Sequence, residues 1–151
     1  MIIREAVQSD ADGISLLIST LSKKHIAPSC TNEGVEILLA SMTVCSIKQY
    51  LNEDYHYYVA EEEEGLIGVV GMKNNSEIYH LFVSDSHQGQ GLSRKLWEVA
   101  KSACLLNNNK GFFTVNSAVN AKHIYLKFGF LPIDDVLDNL GIKEIPMQLH
   151  C

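Results

Sequence analysis

The chain has 151 residues, a formal net charge of −6 and a hydrophobic fraction of 46%. That length and composition predict one globular domain over residues 1–151 with a core of its own, and the acidic balance excludes the basic footprint of a nucleic-acid binder. No apolar run is long enough to span a bilayer, so no membrane partner is expected.

The first residues, Met1-Ile2-Ile3-Arg4-Glu5, lack the basic-then-apolar pattern of a secretory leader. Cys30, Cys45, Cys104 and Cys151 have neither CxxC nor metal-ligand spacing. Free thiols, no metal and a cytoplasmic location are the expectations.

In chain order, Ile2 to Val7 alternates in polarity and predicts a strand. Ser9 or Asp10 caps a helix to about Lys23, with Ile14, Leu17, Ile18 and Leu21 on one face. His25 to Thr31 is a loop around Pro28. Asn32 caps a second helix carrying Val35, Leu38, Leu39 and Met42. A short helix is expected near Ser46–Leu51. Tyr55–Ala60 and Leu66–Lys73 are rich in β-branched, aromatic and aliphatic residues, and so predict strands. The run Glu61-Glu62-Glu63-Glu64-Gly65 between them is a solvated hairpin turn. Asn74-Asn75-Ser76 is a second turn, leading into a strand at Glu77–Val83. Short turns between successive strands imply an antiparallel meander.

A helix over Gln90–Asn107 buries Leu92, Leu96, Val99, Ala100, Ala103 and Leu106. The strand Gly111–Asn116 follows. Strand, long helix, strand is a crossover, so this strand should lie parallel to Glu77–Val83. Ser117 caps a helix over Ala118–Phe128, which Gly129 ends. Phe130–Ile133 and Ile145–His150 are the last strands. Asp134–Lys143 is a polar connection with some helical character.

The chemistry concentrates where the strand Glu77–Val83 gives way to the helix. A glycine pair, Gly89 and Gly91, sits at that junction. Backbone N–H groups and the positive end of the helix dipole converge there, which suits an anion such as a pyrophosphate. A Walker A loop is excluded, because the Gly-x-x-x-x-Gly-Lys-Ser/Thr spacing is missing. A dinucleotide fingerprint is excluded too, because Arg94 occupies the position of its third glycine.

Two stretches together resemble the GNAT superfamily of acyl-CoA-dependent N-acyltransferases. The first, Gln88-Gly89-Gln90-Gly91-Leu92-Ser93, is similar to that family's pyrophosphate loop, Arg/Gln-x-x-Gly-x-Gly/Ala, with Ser93 departing at its last position. The second, Ala121, Tyr125, Gly129 and Phe130, fits Ala-x-x-x-Tyr-x-x-x-Gly-Phe. The resemblance implies an α/β (α+β) GNAT fold. Its central mixed, mostly antiparallel sheet would have six to seven strands, helices on both faces, and a splayed parallel pair formed by the fourth and fifth strands. It is weakest over residues 24–54 and 134–143.

The resemblance further implies an N-acetyltransferase that moves an acetyl group from acetyl-CoA, a co-substrate, to a primary amine acceptor by direct attack in a ternary complex. A catalytically weak acyl-CoA-binding regulatory module of the same fold is the alternative. The pantetheine arm would pair with the backbone of Leu81, Phe82 and Val83. The pyrophosphate would lie on Gln88, Gly89, Gln90, Gly91, Leu92 and Ser93. Asn116 and Asn120 are candidate side-chain contacts, and Arg94 and Lys95 candidate charges near the phosphates.

Tyr125 matches the family's general acid, and a phenol with a pKa near 10 is protonated at neutral pH. The general base is Glu77, His80 or a relayed water. Strict alternation would put Glu77 and His80 on opposite faces of their strand unless a bulge intervenes. The acceptor pocket is expected from residues 22–54 and the late strands. By analogy with relatives, a homodimer is a possible assembly.

Overall fold

A computed structural model describes residues 1–151 as one mixed sheet between two helical layers. The strands are β1 (Ile2–Glu5), β2 (His56–Glu62), β3 (Gly65–Lys73), β4 (Glu77–Val83), β5 (Phe112–Ala118), β6 (Leu131–Pro132), β7 (Leu137–Asn139) and β8 (Ile142–His150). The helices are α1 (Ala11–His25), α2 (Asn32–Ala40), α3 (Val44–Asn52), α4 (Leu92–Leu106) and α5 (Lys122–Phe128). Strand order is β1-β2-β3-β4-β5-β8-β6, with β7 on β8. Every pair is antiparallel except β4–β5. The meander and the parallel crossover stand as expected.

Each face of the sheet carries its own core. On one side α4 and α5 bring Leu96, Trp97, Ala100 and Tyr125 against Val70, Ile78, Phe113 and Met147. On the other, Ala11, Ile14 and Ile18 of α1 and Ile47 of α3 pack on Tyr57, Val59 and Val69. The four glutamates lie in the β2–β3 hairpin, where Glu61 meets Arg4 at 3.2 Å and Glu62 meets His87 at 3.4 Å. No helix is long and apolar enough to cross a membrane.

Several local expectations change; Leu106, expected on the buried face of α4, is exposed at its C-terminal end. Thr31, not Asn32, caps α2, its hydroxyl accepting the Gly34 N–H at 3.0 Å. Gly91 is left-handed (φ 76°), so α4 starts at Leu92 rather than Gln90. Ser117 caps nothing: β5 pairs with β8 as far as Ala118, so Ser117 is a buried strand residue and its hydroxyl turns to the Ala118 carbonyl. A short 3-10 turn then leads into α5 at Lys122. Residues 134–143 hold no α-helix. They form a β-hairpin whose turn residues Leu140 and Gly141 both have positive φ, 54° and 92°, as type I′ turns require. That hairpin raises the strand count to eight.

Candidate active site

The site grows from one pairing defect. β4 and β5 pair only at Glu77–Thr114 and Ile78–Val115, and then diverge. Asparagines clasp the closed end. Asn109 donates to the Asn75 carbonyl at 2.8 Å, and Asn75 donates to the Asn107 carbonyl at 2.8 Å. Beyond Ile78 the β5-facing edge of β4 has no strand partner, although β3 holds the other edge as far as Val83. Unsatisfied strand edge inside a cleft is a template for an extended, amide-bearing ligand.

A cavity of about 890 Å³ fills this opening. The whole of β4 lines it, with Asn116 and Ala118 of β5, Tyr125 and Phe128 of α5, Ile37 and Leu38 of α2, and Ile142 and Glu144 of β8. At one end of it lies the β4–α4 loop. There Gly89 and Gly91 both stand at φ 76°, and a Cβ on either would meet no atom within 4 Å. Such a conformation suits glycine, and the space above it is open. None of the N–H groups from Gly89 to Ser93 has a partner within the chain, and the first bond into α4 runs from Lys95 N–H to the Gly91 carbonyl at 3.1 Å. These free donors fit a diphosphate.

Neighbours hold the loop in shape. Gln88 donates through Nε2 to the Val83 carbonyl at 3.2 Å and to Asp85 at 3.3 Å. Asp85 also takes Lys24 at 2.5 Å and His25 at 2.8 Å from the end of α1, and these partners hold its carboxyl below the usual range. Arg94 donates to the Lys127 carbonyl at 2.9 Å and lies on the Phe128 ring, so it joins α4 to α5.

Of the residues selected from sequence, Glu77, His80, Leu81, Phe82, Val83, Gln88, Gly89, Gly91, Leu92, Ser93, Asn116, Asn120 and Tyr125 come together on this one cavity. Gln90 is exposed and is not part of its lining. The Asn120 amide is already engaged, donating to the His25 carbonyl at 3.0 Å. Tyr125 is 7% exposed and packs edge-on against Phe128 and Phe130. Burial pushes its pKa upward, so its phenol is protonated at neutral pH.

A bulge resolves the faces of β4. Gly71 of β3 pairs with His80 while Met72 pairs with Ile78, leaving Tyr79 as the extra residue. Ile78 and Leu81 therefore pack towards α4 and α5, while Tyr79, His80 and Phe82 turn towards the α1–α3 side. His80 is buried, and burial lowers its pKa to about 3, so the imidazole is neutral. Its Nδ1 lies 2.8 Å from the Tyr57 hydroxyl.

The tertiary structure adds residues that no motif marked. Tyr79 meets the Tyr50 hydroxyl at 3.2 Å, and Tyr50 donates onward to the Ser41 carbonyl at 3.0 Å. Lys73 stands over the Tyr55 and Tyr79 rings at 6.0 and 5.6 Å. Glu144 lines the cavity half-buried; burial raises its pKa, and the charge of Glu77 raises it further. In sequence, Glu144 is an ordinary polar position before an alternating strand. Only the β7–β8 hairpin brings it to the mouth of the splayed pair.

The profile of an acetyltransferase (GNAT) domain matches residues 26–151. No curated protein matches the chain. A GCN5-related N-acetyltransferase from Rhodopseudomonas palustris is similar in structure, with a TM-score of 0.83 at 15% identity, covering 99% of this chain and 95% of that one. The PaiA N-acetyltransferase from Thermoplasma acidophilum, solved with coenzyme A, gives 0.80 at 16% identity over 99% and 98% of the two chains. A spermidine N-acetyltransferase from Vibrio cholerae gives 0.67 at 17% identity over 99% and 95%. At such identities these likenesses speak for the fold. The profile speaks for descent, and it spans everything from the end of α1 to the last residue, including the splayed pair and the glycine loop. By that match the chain belongs to the GNAT acetyltransferase family.

Proposed function

We propose that this protein is an acetyl-CoA-dependent N-acetyltransferase acting on a primary amine. One observation carries the reading. The unpaired edge of β4 runs through a single cavity that has free N–H donors of Gly89 to Ser93 at one end and the protonated phenol of Tyr125 on its wall. An acyl-CoA needs a diphosphate cradle, a strand-like partner for its amides, and an acid near its sulfur.

When bound, acetyl-CoA supplies the thioester. The chain does the rest. Gly89 to Ser93 hold the diphosphate, and Leu81 to Val83 pair with the arm. Glu77, directly or through one water, takes the proton of the acceptor's ammonium, whose pKa is about 10.4 for a lysine-like amine. The freed nitrogen bonds to the acetyl carbon, the carbon–sulfur bond breaks, Tyr125 gives its proton to the leaving sulfur, and the second proton of the attacking nitrogen restores the Tyr125 phenol. The products are an amide, a free thiol and one proton released to solvent. Glu144 and Glu77, both on the cavity wall, favour a cationic acceptor.

The test is thiol release with acetyl-CoA across a panel of amines: spermidine, an aminoglycoside and peptide N-termini. Acetyl-CoA should also raise Tm. A Tm rise without thiol release from any amine would leave a binding module only, and no Tm rise at millimolar acetyl-CoA would sink both readings. The late strands expose Leu131, Ile133, Leu137 and Leu140, each at least 46% accessible, which supports a homodimer across that edge. Monomer sedimentation at every concentration would remove it.

A further inference from the structure

The row Tyr57–Gly71–His80 crosses three strands, because Tyr57 of β2 pairs with Gly71 of β3 and Gly71 pairs with His80 of β4. A Cβ on Gly71 would run into the Tyr57 ring. The bare glycine therefore lets the ring lie across β3 and bring its hydroxyl to His80 Nδ1 at 2.8 Å. Tyr57 is 1% exposed, and His80 Nδ1 is the only hydrogen-bond partner of its hydroxyl.

This geometry determines where the protons sit. A buried phenol that does not donate its hydrogen leaves a desolvated donor unpaired, which is costly. If Nδ1 carried the ring proton, the phenol oxygen would accept it and the phenol's own buried hydrogen would have no acceptor. With the phenol donating to Nδ1, both groups are satisfied, and the single proton of the neutral ring lies on Nε2. Nε2 has no partner within the chain and is not sealed in the core, and His80 lines the cavity. The bulge at Tyr79 is what turns the ring to this side.

We propose that His80 is a locked Nε2–H hydrogen-bond donor towards an oxygen of bound substrate, and that Tyr57, reaching it across Gly71, is the positioning residue that locks it. The proposal rests on the acetyltransferase reading for the identity of the substrate, but not for the tautomer. The titratable groups around the ring are phenols: Tyr50 from α3, Tyr57 from β2 and Tyr79 from β4. The buried face of α1 (Ala11, Ile14, Ser15, Ile18, Leu21, Ser22) carries none. No carboxylate therefore draws a second proton onto the ring, and burial disfavours one. The oxygen is either on the acetyl group or on the amine acceptor.

The experiment is 15N-edited NMR of the histidine rings in the whole protein, with the His80 signals identified by their loss in His80→Gln. The expected result is a proton on Nε2 and an unprotonated Nδ1 from pH 5 to pH 8. In Tyr57→Phe that preference should be lost. A proton on Nδ1 of the wild type would overturn the proposal, as would an unchanged tautomer in Tyr57→Phe; the wild-type spectrum alone decides if a variant fails to fold. In steady-state kinetics His80→Leu should lose about tenfold in kcat/KM, the scale of one hydrogen bond. His80→Gln, whose amide can present N–H at the same place, should recover most of that loss without altering the acid limb of the pH profile. Recovery in kcat assigns the acetyl oxygen; recovery in the amine KM assigns the acceptor. A His80→Gln enzyme as impaired as His80→Leu, or lacking the acid limb, would overturn the donor role. If the protein neither binds acetyl-CoA nor releases thiol, the function fails while the tautomer result stands.

Discussion

The N–H of Thr31 donates to the Gly141 carbonyl at 3.0 Å, joining the start of α2 to the turn of the β7–β8 hairpin. Gly141 stands at φ 92°, and a Cβ there would run into the Thr31 hydroxyl. Gly34, one turn into α2, meets the same Gly141 carbonyl and is equally confined. The start of α2 and the β7–β8 hairpin, within the two stretches least decipherable in sequence, thus pack on each other, and Ile37 and Leu38 of α2 and Ile142 of β8 line the cavity.

Gly141→Ala should destabilise the fold by about 1–3 kcal/mol through the combined strain and overlap. It should raise KM for the amine, because Ile37 and Leu38 of α2 line the cavity. The Tm rise given by acetyl-CoA should survive, since a Cβ at Gly141 meets only Thr31 and Gly34 and none of the glycine-loop residues Gly89 to Ser93. Chemical denaturation and KM for each substrate check this, and a lost acetyl-CoA response would contradict that separation.

Acid should destabilise the protein in part through His80. Its folded pKa, about 3, lies below the ordinary histidine value near 6.5, so between these values the unfolded chain binds more protons. The stability that neutral, buried His80 confers is complete above pH 6.5 and is lost as pH falls towards 3, with a limiting slope of about 1.4 kcal/mol per pH unit. Asp10 and Asp85, whose carboxyls are held low by Arg4 and by Lys24 respectively, lose stability in acid as well. The difference between wild type and His80→Gln isolates the histidine. Parallel stability curves for the two from pH 7 to pH 4 would refute its share.

Gly91→Ala should fold with a loss of about 1 kcal/mol, because alanine must adopt a left-handed backbone without clashing. Its Cβ projects into the open space above the loop, so acetyl-CoA affinity should fall tenfold or more. Ser93→Ala, which leaves the backbone donors intact, should change affinity little. Thermal shifts titrated with acetyl-CoA measure both.

Tyr125→Phe should lower kcat by about 100-fold, the usual share of a general acid, and leave KM for acetyl-CoA unchanged. The ring's packing against Phe128 and Phe130 does not need the hydroxyl, so Tm should hold. Thiol release at full rate would remove Tyr125 as the acid.

Glu144→Gln should raise KM for polycationic amines by about fivefold and leave a neutral-tailed amine unaffected. Because burial and the Glu77 charge raise the Glu144 pKa, the wild-type preference for cations should fade earlier on acidification than a normal carboxylate would allow. Competition between spermidine and a monoamine as pH is lowered tests this.

The sequence by itself determined the meander, the crossover and the glycine loop, while Tyr125 was singled out by its motif's resemblance to a family. Those features depend on local chemistry: alternation at period two, apolar stripes at helical spacing, and glycines where the backbone needs φ above zero. It also placed Ser117 wrongly as a cap, because capping potential is local while pairing with β8 is not. Only the tertiary structure decided that Tyr57 reaches His80 across Gly71, that the bulge puts Tyr79 and His80 on one face, and that Glu144 joins Glu77 at one cavity. The first two depend on the register between β2, β3 and β4, where a one-residue slip would reverse every side chain involved, and the third on pairing of β8, distant in the chain, with β5.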